Sequence, residues 1–243
     1  MIGTETLDDP RAAPEDVLRT LCDIARINRL FGGTRAVVEA LEPFFRERSP
    51  LKDSLAVESA GERWTLLDVG TGLGDIPRAA AARARRHGIA LQLIGIERIP
   101  AAARAARETG VGEGAAGIAV LLADGGALPI RPGGVDVVVA SQVLHHLPRD
   151  VAVRWIAAFD RLARRAVVLA DLRRSRLAMA GIWAASFGLG FGGHTRRDAV
   201  VSLKRGYTRD ELNAMLRDAG VPAVATYQPG FRVVAAWRPR AHR

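Results

Sequence analysis

The chain has 243 residues, 49% of them hydrophobic, with a formal net charge of +9 and one cysteine, Cys22. That is enough for one sizeable α/β domain with a small appendage, and a single cysteine excludes an internal disulfide and a cysteine metal cluster. The positive charge is almost all arginine (Lys52 and Lys204 are the only lysines) and is spread through Ala-rich stretches such as Arg78 to Arg86, with no aromatics interleaved, so a nucleic-acid partner is not expected.

In chain order, MIGTETLDDP is polar and acidic, unlike a secretory signal, so a reducing, cytoplasmic setting is expected. Residues 1–13 read as unstructured. Pro14 to Phe31 carries apolar residues at Val17, Leu18, Leu21, Ile24, Ile27 and Leu30, a helical stripe stopped by Gly32-Gly33. Thr34 is placed to cap a second helix, Arg35 to Phe45. A linker, Pro50 to Gly61, follows. These two helices, within residues 1–61, form an amino-terminal addition that packs at the sheet edge or covers a ligand pocket, with Asn28 reaching inward.

Residues 62–243 carry the main domain. Arg63 to Asp75, RWTLLDVGTGLGD, reads as a buried strand ending near Asp68, then a turn through Gly70, Gly72 and Gly74, then a helix from Ile76 to His87. Ala90 to Glu97 is a second strand, Pro100 to Thr109 a helix, and Gly110 to Gly117 a glycine-rich connection. Ile118 to Asp124 and Val135 to Ser141 are further strands, with Gln142 to Pro148 following. Asp150 to Arg164 is a helix and Ala166 to Asp171 a fifth strand. Thr208 and Glu211 form a capping box for a helix to Gly220. Ala223 to Tyr227 and Phe231 to Trp237 close as a hairpin around Gln228-Pro229-Gly230. The order predicts a Rossmann-like, doubly wound, seven-stranded sheet, mostly parallel with one reversed strand.

Ligands of such sheets bind at the carboxyl ends of the strands. Those ends carry Asp68, Glu97, Asp124, Ser141 and Asp171. Several acids at one edge repel a polyphosphate. They suit a ligand with ribose hydroxyls, an exocyclic amine and positive charge, because a carboxylate accepts two hydrogen bonds from a vicinal diol. A nicotinamide dinucleotide fits less well. Its turn is G-x-G-x-x-G, whereas this one is G-x-G-x-G, and Asp124 has no standard role with a dinucleotide.

The stretches LLDVGTGLGDIP (Leu66 to Pro77), IGIER (Ile94 to Arg98), ADGGALPI (Ala123 to Ile130) and VDVVVASQVLHHLP (Val135 to Pro148) resemble the class I S-adenosylmethionine-dependent methyltransferases. The resemblance implies that Asp68, Gly70, Thr71, Gly72 and Gly74 wrap the methionine moiety and that Glu97, with Arg98 beside it, holds the ribose. Glu stands at 97 where the family more often has Asp. It further implies that Asp124 and Gly125 meet the adenine, and that Ser141 and Gln142 lie under the sulfonium. RINRLFGG (Arg26 to Gly33), GDIP, VLHHL, DLRRSR and TRRDAVVSLKRGYT look like small-molecule methyltransferases of bacterial quinone and polyketide pathways. The implied reaction is methyl transfer to an oxygen or activated carbon of a hydrophobic small molecule. An RNA or DNA methyltransferase and a non-catalytic cofactor-binding protein are the alternatives. No N/D-P-P-Y/F tetrapeptide follows the fourth strand, which argues against methylation of planar amino groups. The position of Cys22 argues against cysteine-dependent methylation of pyrimidines.

A methyl sulfonium is already an activated electrophile, so the protein has to align the acceptor, exclude water and remove a proton. His145 and His146, after the fourth strand, are the first candidates for the base, or else one packs and the other orients the loop. Asp171, His194, Asp198 and Tyr207 come after them. No metal site is expected. Leu177 to Gly193, LAMAGIWAASFGLGFGG, is apolar between arginines. Within an insertion spanning 172–206 it reads as a hydrophobic lid over the acceptor, with peripheral membrane contact through 177–193 a second use.

Overall fold

The protein, as a computed structural model, is described over residues 5–9, 11–47, 62–109, 116–188, 190–191 and 193–240. The linker 50–61 and most of the glycine-rich connection lie outside the described residues. The elements are α1 (Pro14–Leu30), α2 (Gly33–Arg46), β1 (Glu62–Val69), α3 (Asp75–Arg85), β2 (Ile89–Glu97), α4 (Pro100–Glu108), β3 (Ile118–Leu122), β4 (Val135–Ser141), α5 (Arg149–Leu162), β5 (Ala163–Leu172), α6 (Arg176–Gly188), α7 (Gly193–Arg205), α8 (Arg209–Asp218), β6 (Thr226–Gln228) and β7 (Arg232–Trp237). The strands form one seven-stranded sheet in the order β3-β2-β1-β4-β5-β7-β6. β3, β2, β1, β4 and β5 are parallel, and β7 runs antiparallel to both β5 and β6. This is the mostly parallel, Rossmann-like sheet with a carboxy-terminal hairpin that the strand pattern predicts.

Burial explains the order. β4 lies at the centre and is buried along its whole length, as a parallel strand covered on both faces must be. β3, at one edge, leaves Leu121 and Leu122 exposed. One face is covered by α2 and α3 with part of α4, where Val37, Leu41 and Phe45 of α2 join Trp64, Leu66, Ala80 and Val168. The other is covered by α5 and α8, where Ile156, Phe159, Leu212 and Leu216 meet Leu67, Val138, Leu169 and Trp237. Each fully buried Leu or Phe contributes roughly 1.5–3 kcal/mol, so α2 is as much a part of the sheet layer as α3.

Several boundaries differ from the sequence reading. Residues 5–9 are not unstructured: Thr6–Asp8 forms a short 3₁₀ turn, held because Thr6 N–H donates to Asp198 at 2.9 Å. Thr34 does not cap α2. Gly32, at φ 80°, is the cap and the helix starts at Gly33, since only glycine takes that backbone easily. β3 stops at Leu122, short of Asp124. β5 begins at Ala163, so α5 ends at Leu162 rather than Arg164. Arg164 and Arg165 are drawn onto the strand by the buried Asp136, at 3.2 Å each. The hairpin's first strand is only Thr226–Gln228, and Phe231, at φ 55°, belongs to the turn. Of the apolar run 177–193, residues 177–188 lie in α6 and Gly193 opens α7. Among the described residues no helix is long and apolar enough to cross a membrane.

Candidate active site

A cavity of about 610 Å³ opens at the carboxyl ends of β1, β2, β4 and β5, roofed by α1, α6, α7 and the amino-terminal turn. That is within the usual range for a small-molecule site.

The first half of its floor is the turn after β1. Gly70, Gly72 and Gly74 have φ of 74°, 52° and 74°, and the N–H groups of Gly70 and Thr71 donate to the Ile96 carbonyl at 2.9 and 3.0 Å. A Cβ on Gly70 would lie 2.4 Å from Cγ2 of Val143. The turn is therefore pinned to the end of β2 and pressed against the loop after β4. Asp68 is buried and accepts from the Thr71 hydroxyl at 2.8 Å. Burial pushes its carboxyl up to about 7, against the Thr71 hydrogen bond and with help from the charges of Asp75 and Glu97.

Glu97, also buried, accepts from Gly72 N–H at 3.0 Å, Arg98 N–H at 2.8 Å and Ile99 N–H at 3.0 Å. Its carboxylate is thus fixed in place. The exposed Arg98 sends its guanidinium to the Leu7 carbonyl at 2.9 Å. Asp124 is exposed and accepts from Gly126 N–H at 2.7 Å, while Gly125 is buried against Trp155. Ser141 is buried at the tip of β4. Gln142 holds φ 57°, a strained conformation for a non-glycine residue of the kind found at ligand clamps. Its side chain donates to Asn28 of α1 at 2.6 Å.

The second half begins at the 3₁₀ turn Leu144–His146. His145 is buried, with Nδ1 2.6 Å from Asp171 at the end of β5. Burial alone would lower the imidazole pKa, but the Asp171 carboxylate outweighs it and raises it. Burial likewise raises Asp171, and His145 more than reverses this. Among the described residues Nε2 of His145 is buried without a hydrogen-bond partner. His146 stacks on it, ring centroids 4.2 Å apart, and places Nδ1 2.8 Å from Asp8. The Tyr207 hydroxyl donates to the Leu144 carbonyl at 2.8 Å, bracing this turn; burial and the Asp171 charge raise its pKa further. Asp198 is occupied by Thr6, and the His194 side chain lies outside the described residues.

Five participants have no local signal in the sequence. Glu5 accepts from Ser202 at 2.6 Å and from Arg205 at 3.2 Å, and Arg205 also binds Asp8 at 2.5 Å. These contacts strap the amino-terminal turn to α7 beside the histidines. Arg232, the first residue of β7, is buried and donates to Asn28 at 3.1 Å, with no ion pair within reach among the described residues. Burial brings its pKa down to about 10, partly offset by Asp171. The hairpin's charged residue enters the cavity only because β7 pairs with β5, Arg232 opposite Leu172. Apolar walls come from Leu21, Ile24, Phe31, Ala178 and Ile182.

The cavity therefore has one half built from the glycine cradle and the strand-tip carboxylates, and another in which an Asp–His pair and further charged side chains stand beside apolar walls. Residues 67–170, from β1 to β5, match the family model of the methyltransferase domain. No curated protein sequence matches the chain significantly. Among solved structures, an S-adenosylmethionine-dependent methyltransferase from Aquifex aeolicus superposes with a TM-score of 0.58 at 16% identity, over 88% of this chain and 97% of that one. Magnesium protoporphyrin IX methyltransferase from Synechocystis PCC 6803, bound to S-adenosylhomocysteine, gives 0.54 at 17% identity over 87% and 84%. Human N-acetylserotonin methyltransferase, in complex with S-adenosylmethionine, gives 0.61 at 11% identity over 94% and 57%. At such identities the likeness is one of fold.

The match over residues 67–170 and the shared fold support a class I methyltransferase that uses S-adenosylmethionine. A cradle closed to any side chain at Gly70, beside fixed carboxylates at the strand tips, suits that cofactor.

Proposed function

We propose that the enzyme methylates an oxygen or an activated carbon of a hydrophobic small molecule, such as a substituted phenol, quinone or polyketide. The observation that carries this reading is that one cavity is lined by the glycine turn and strand-tip acids, by the apolar side chains Leu21, Ile24, Phe31, Ala178 and Ile182, and by His145. The named activities of two structural neighbours, on magnesium protoporphyrin IX and on N-acetylserotonin, agree with a small-molecule acceptor.

When bound, the cofactor supplies a methyl group already activated as a sulfonium. Glu97 would hold the ribose hydroxyls, with Arg98 alongside. Asp124 and Gly125 would meet the adenine. Asp68, Gly70, Thr71, Gly72 and Gly74 would hold the methionine portion, with Ser141 and Gln142 on the sulfonium side. On the other side α1 and α6 exclude water and hold the acceptor by its apolar surface. His145 takes the acceptor's proton at Nε2, with Asp171 fixing the tautomer through Nδ1, as general-base catalysis requires. His146 packs against it and narrows the passage.

Calorimetric titration with S-adenosylmethionine, S-adenosylhomocysteine and NADH tests the cofactor half, and methyl transfer to a panel of alkylphenols and hydroxyquinones tests the acceptor half. Saturable binding of the first two alone, with turnover of at least one apolar acceptor, is expected. Turnover of tRNA or DNA in place of the panel would replace the acceptor assignment, and binding without any turnover would indicate a catalytically idle protein.

A further inference from the structure

Glu5, His145 and His146 offer three ligand atoms that lie within 4.8 Å of one another inside the cavity. Nε2 of His145 is 3.9 Å from one carboxylate oxygen of Glu5, and Nε2 of His146 is 4.0 Å from the other. These separations are too long for hydrogen bonds. Each histidine has its other nitrogen beside an acid, Asp171 for His145 and Asp8 for His146. An imidazole that donates from Nδ1 presents a lone pair at Nε2. Two lone pairs and a carboxylate, itself held by Ser202 and Arg205, then lie around one point, and among the described residues Nε2 of His145 is buried without a hydrogen-bond partner.

The charges nearby point the same way. Glu5, Asp8 and Asp171 are balanced locally by Arg205, which binds the first two, and at longer range by Arg232 near Asp171. We infer that Glu5, His145 and His146 bind a divalent first-row transition metal ion, with Asp8 and Asp171 as the acids behind the two imidazoles. A carboxylate behind each imidazole is the arrangement that orients metal-bound histidines. Two histidines and one carboxylate form a three-ligand set that leaves a position open, the pattern of catalytic rather than structural sites. With metal–ligand distances of about 2.0–2.2 Å, the triangle must close by roughly half an ångström or more per side. A shift of Glu5 that lengthens its contacts with Ser202 and Arg205, together with a shift of the half-buried His146, supplies that movement.

The open position faces the cavity and takes an oxygen of the acceptor, a phenolate or enolate. That part rests on the proposed acceptor class; the ion itself does not. With the ion in place Nε2 of His145 is a ligand, the acceptor gives its proton to bulk water and the metal would stabilise the oxyanion; without the ion Nε2 stays free to act as the base proposed above.

The test uses the full chain, stripped with EDTA and titrated with zinc, and separately with cobalt(II) for its visible absorption bands. One zinc per chain is expected. Glu5→Gln and His146→Ala should each weaken it at least about tenfold and abolish the cobalt bands, and Asp8→Asn should weaken it by about tenfold. S-adenosylhomocysteine titration of each variant reports whether the fold and cofactor half are intact. Zinc that fails to bind wild-type protein with an intact cofactor site, or that binds all three variants like wild type, overturns the inference. Loss of S-adenosylhomocysteine binding by the wild type instead overturns the reading of the cofactor half and leaves the zinc result to stand by itself.

Discussion

Oδ1 of Asp171 and Nδ1 of His145 lie 2.6 Å apart, both side chains buried, at the tips of β5 and of the turn after β4. The same carboxylate accepts from Leu172 N–H at 2.7 Å and His145 N–H at 3.3 Å, so it cannot turn away from the imidazole. Asp171→Asn should therefore leave S-adenosylhomocysteine affinity unchanged and lower kcat by about 10²–10⁴-fold, the range of a lost general base. Steady-state kinetics in EDTA, which keeps any metal out, provides the measurement. An unchanged kcat on a verified acceptor would remove His145 as the base.

Asp68 gives the cofactor half a pH dependence. With its folded-state pKa at about 7 and an ordinary value near 3.9, the folded chain holds a proton between those limits that the unfolded chain has lost. In that window stability without ligand falls as pH rises. A cationic ligand favours ionised Asp68, so affinity for S-adenosylmethionine should increase from pH 6 to pH 8 with release of a proton. Titrations in buffers of different ionisation enthalpy count that proton, and Asp68→Asn should abolish it.

Glu97 supports two things at once. Its carboxylate satisfies three backbone N–H groups and, in the proposed complex, the ribose. Glu97→Ala should weaken cofactor binding by about 10–100-fold, as expected for hydrogen bonds to a charged group worth roughly 1.5–3 kcal/mol. It should also lower Tm, because the three donors lose their acceptor. Glu97→Gln, which retains one acceptor oxygen, should recover part of both in calorimetry and thermal melts.

Gly70→Ala should damage the cradle without touching any polar group. The residue sits at φ 74°, and the new methyl would meet Val143 at 2.4 Å. Left-handed backbone costs an L-residue roughly 1–2 kcal/mol and overpacking adds roughly 1–3 kcal/mol. Tm should fall by about 4 °C or more, with cofactor affinity falling too. A paired Val143→Ala should restore part of the Tm.

The chain's own pattern was enough for the sheet and for the acids at its edge. Asp68, Glu97 and Asp124 each end a run of apolar residues and precede a glycine turn or a helix, a local signal. Boundaries set by distant partners were not legible. β5 starts early because Asp136 of β4 engages Arg164 and Arg165, and Phe231 falls into the hairpin turn at a positive φ that no residue preference announces. Thr34 has the right chemistry for a cap, but Gly32 takes the position by its backbone freedom.

Periodicity and residue order alone determined the α/β class, the seven strands and the glycine turn, because each depends on neighbours a few positions away. Only the folded chain decided which side chains share the cavity. Asp8 reaches His146 from 138 positions away, and Arg232 reaches Asn28 from 204. Such contacts arise when a terminal segment and the last hairpin are brought over the same strand ends. They are fixed by the packing of whole elements, which no local stretch of sequence encodes.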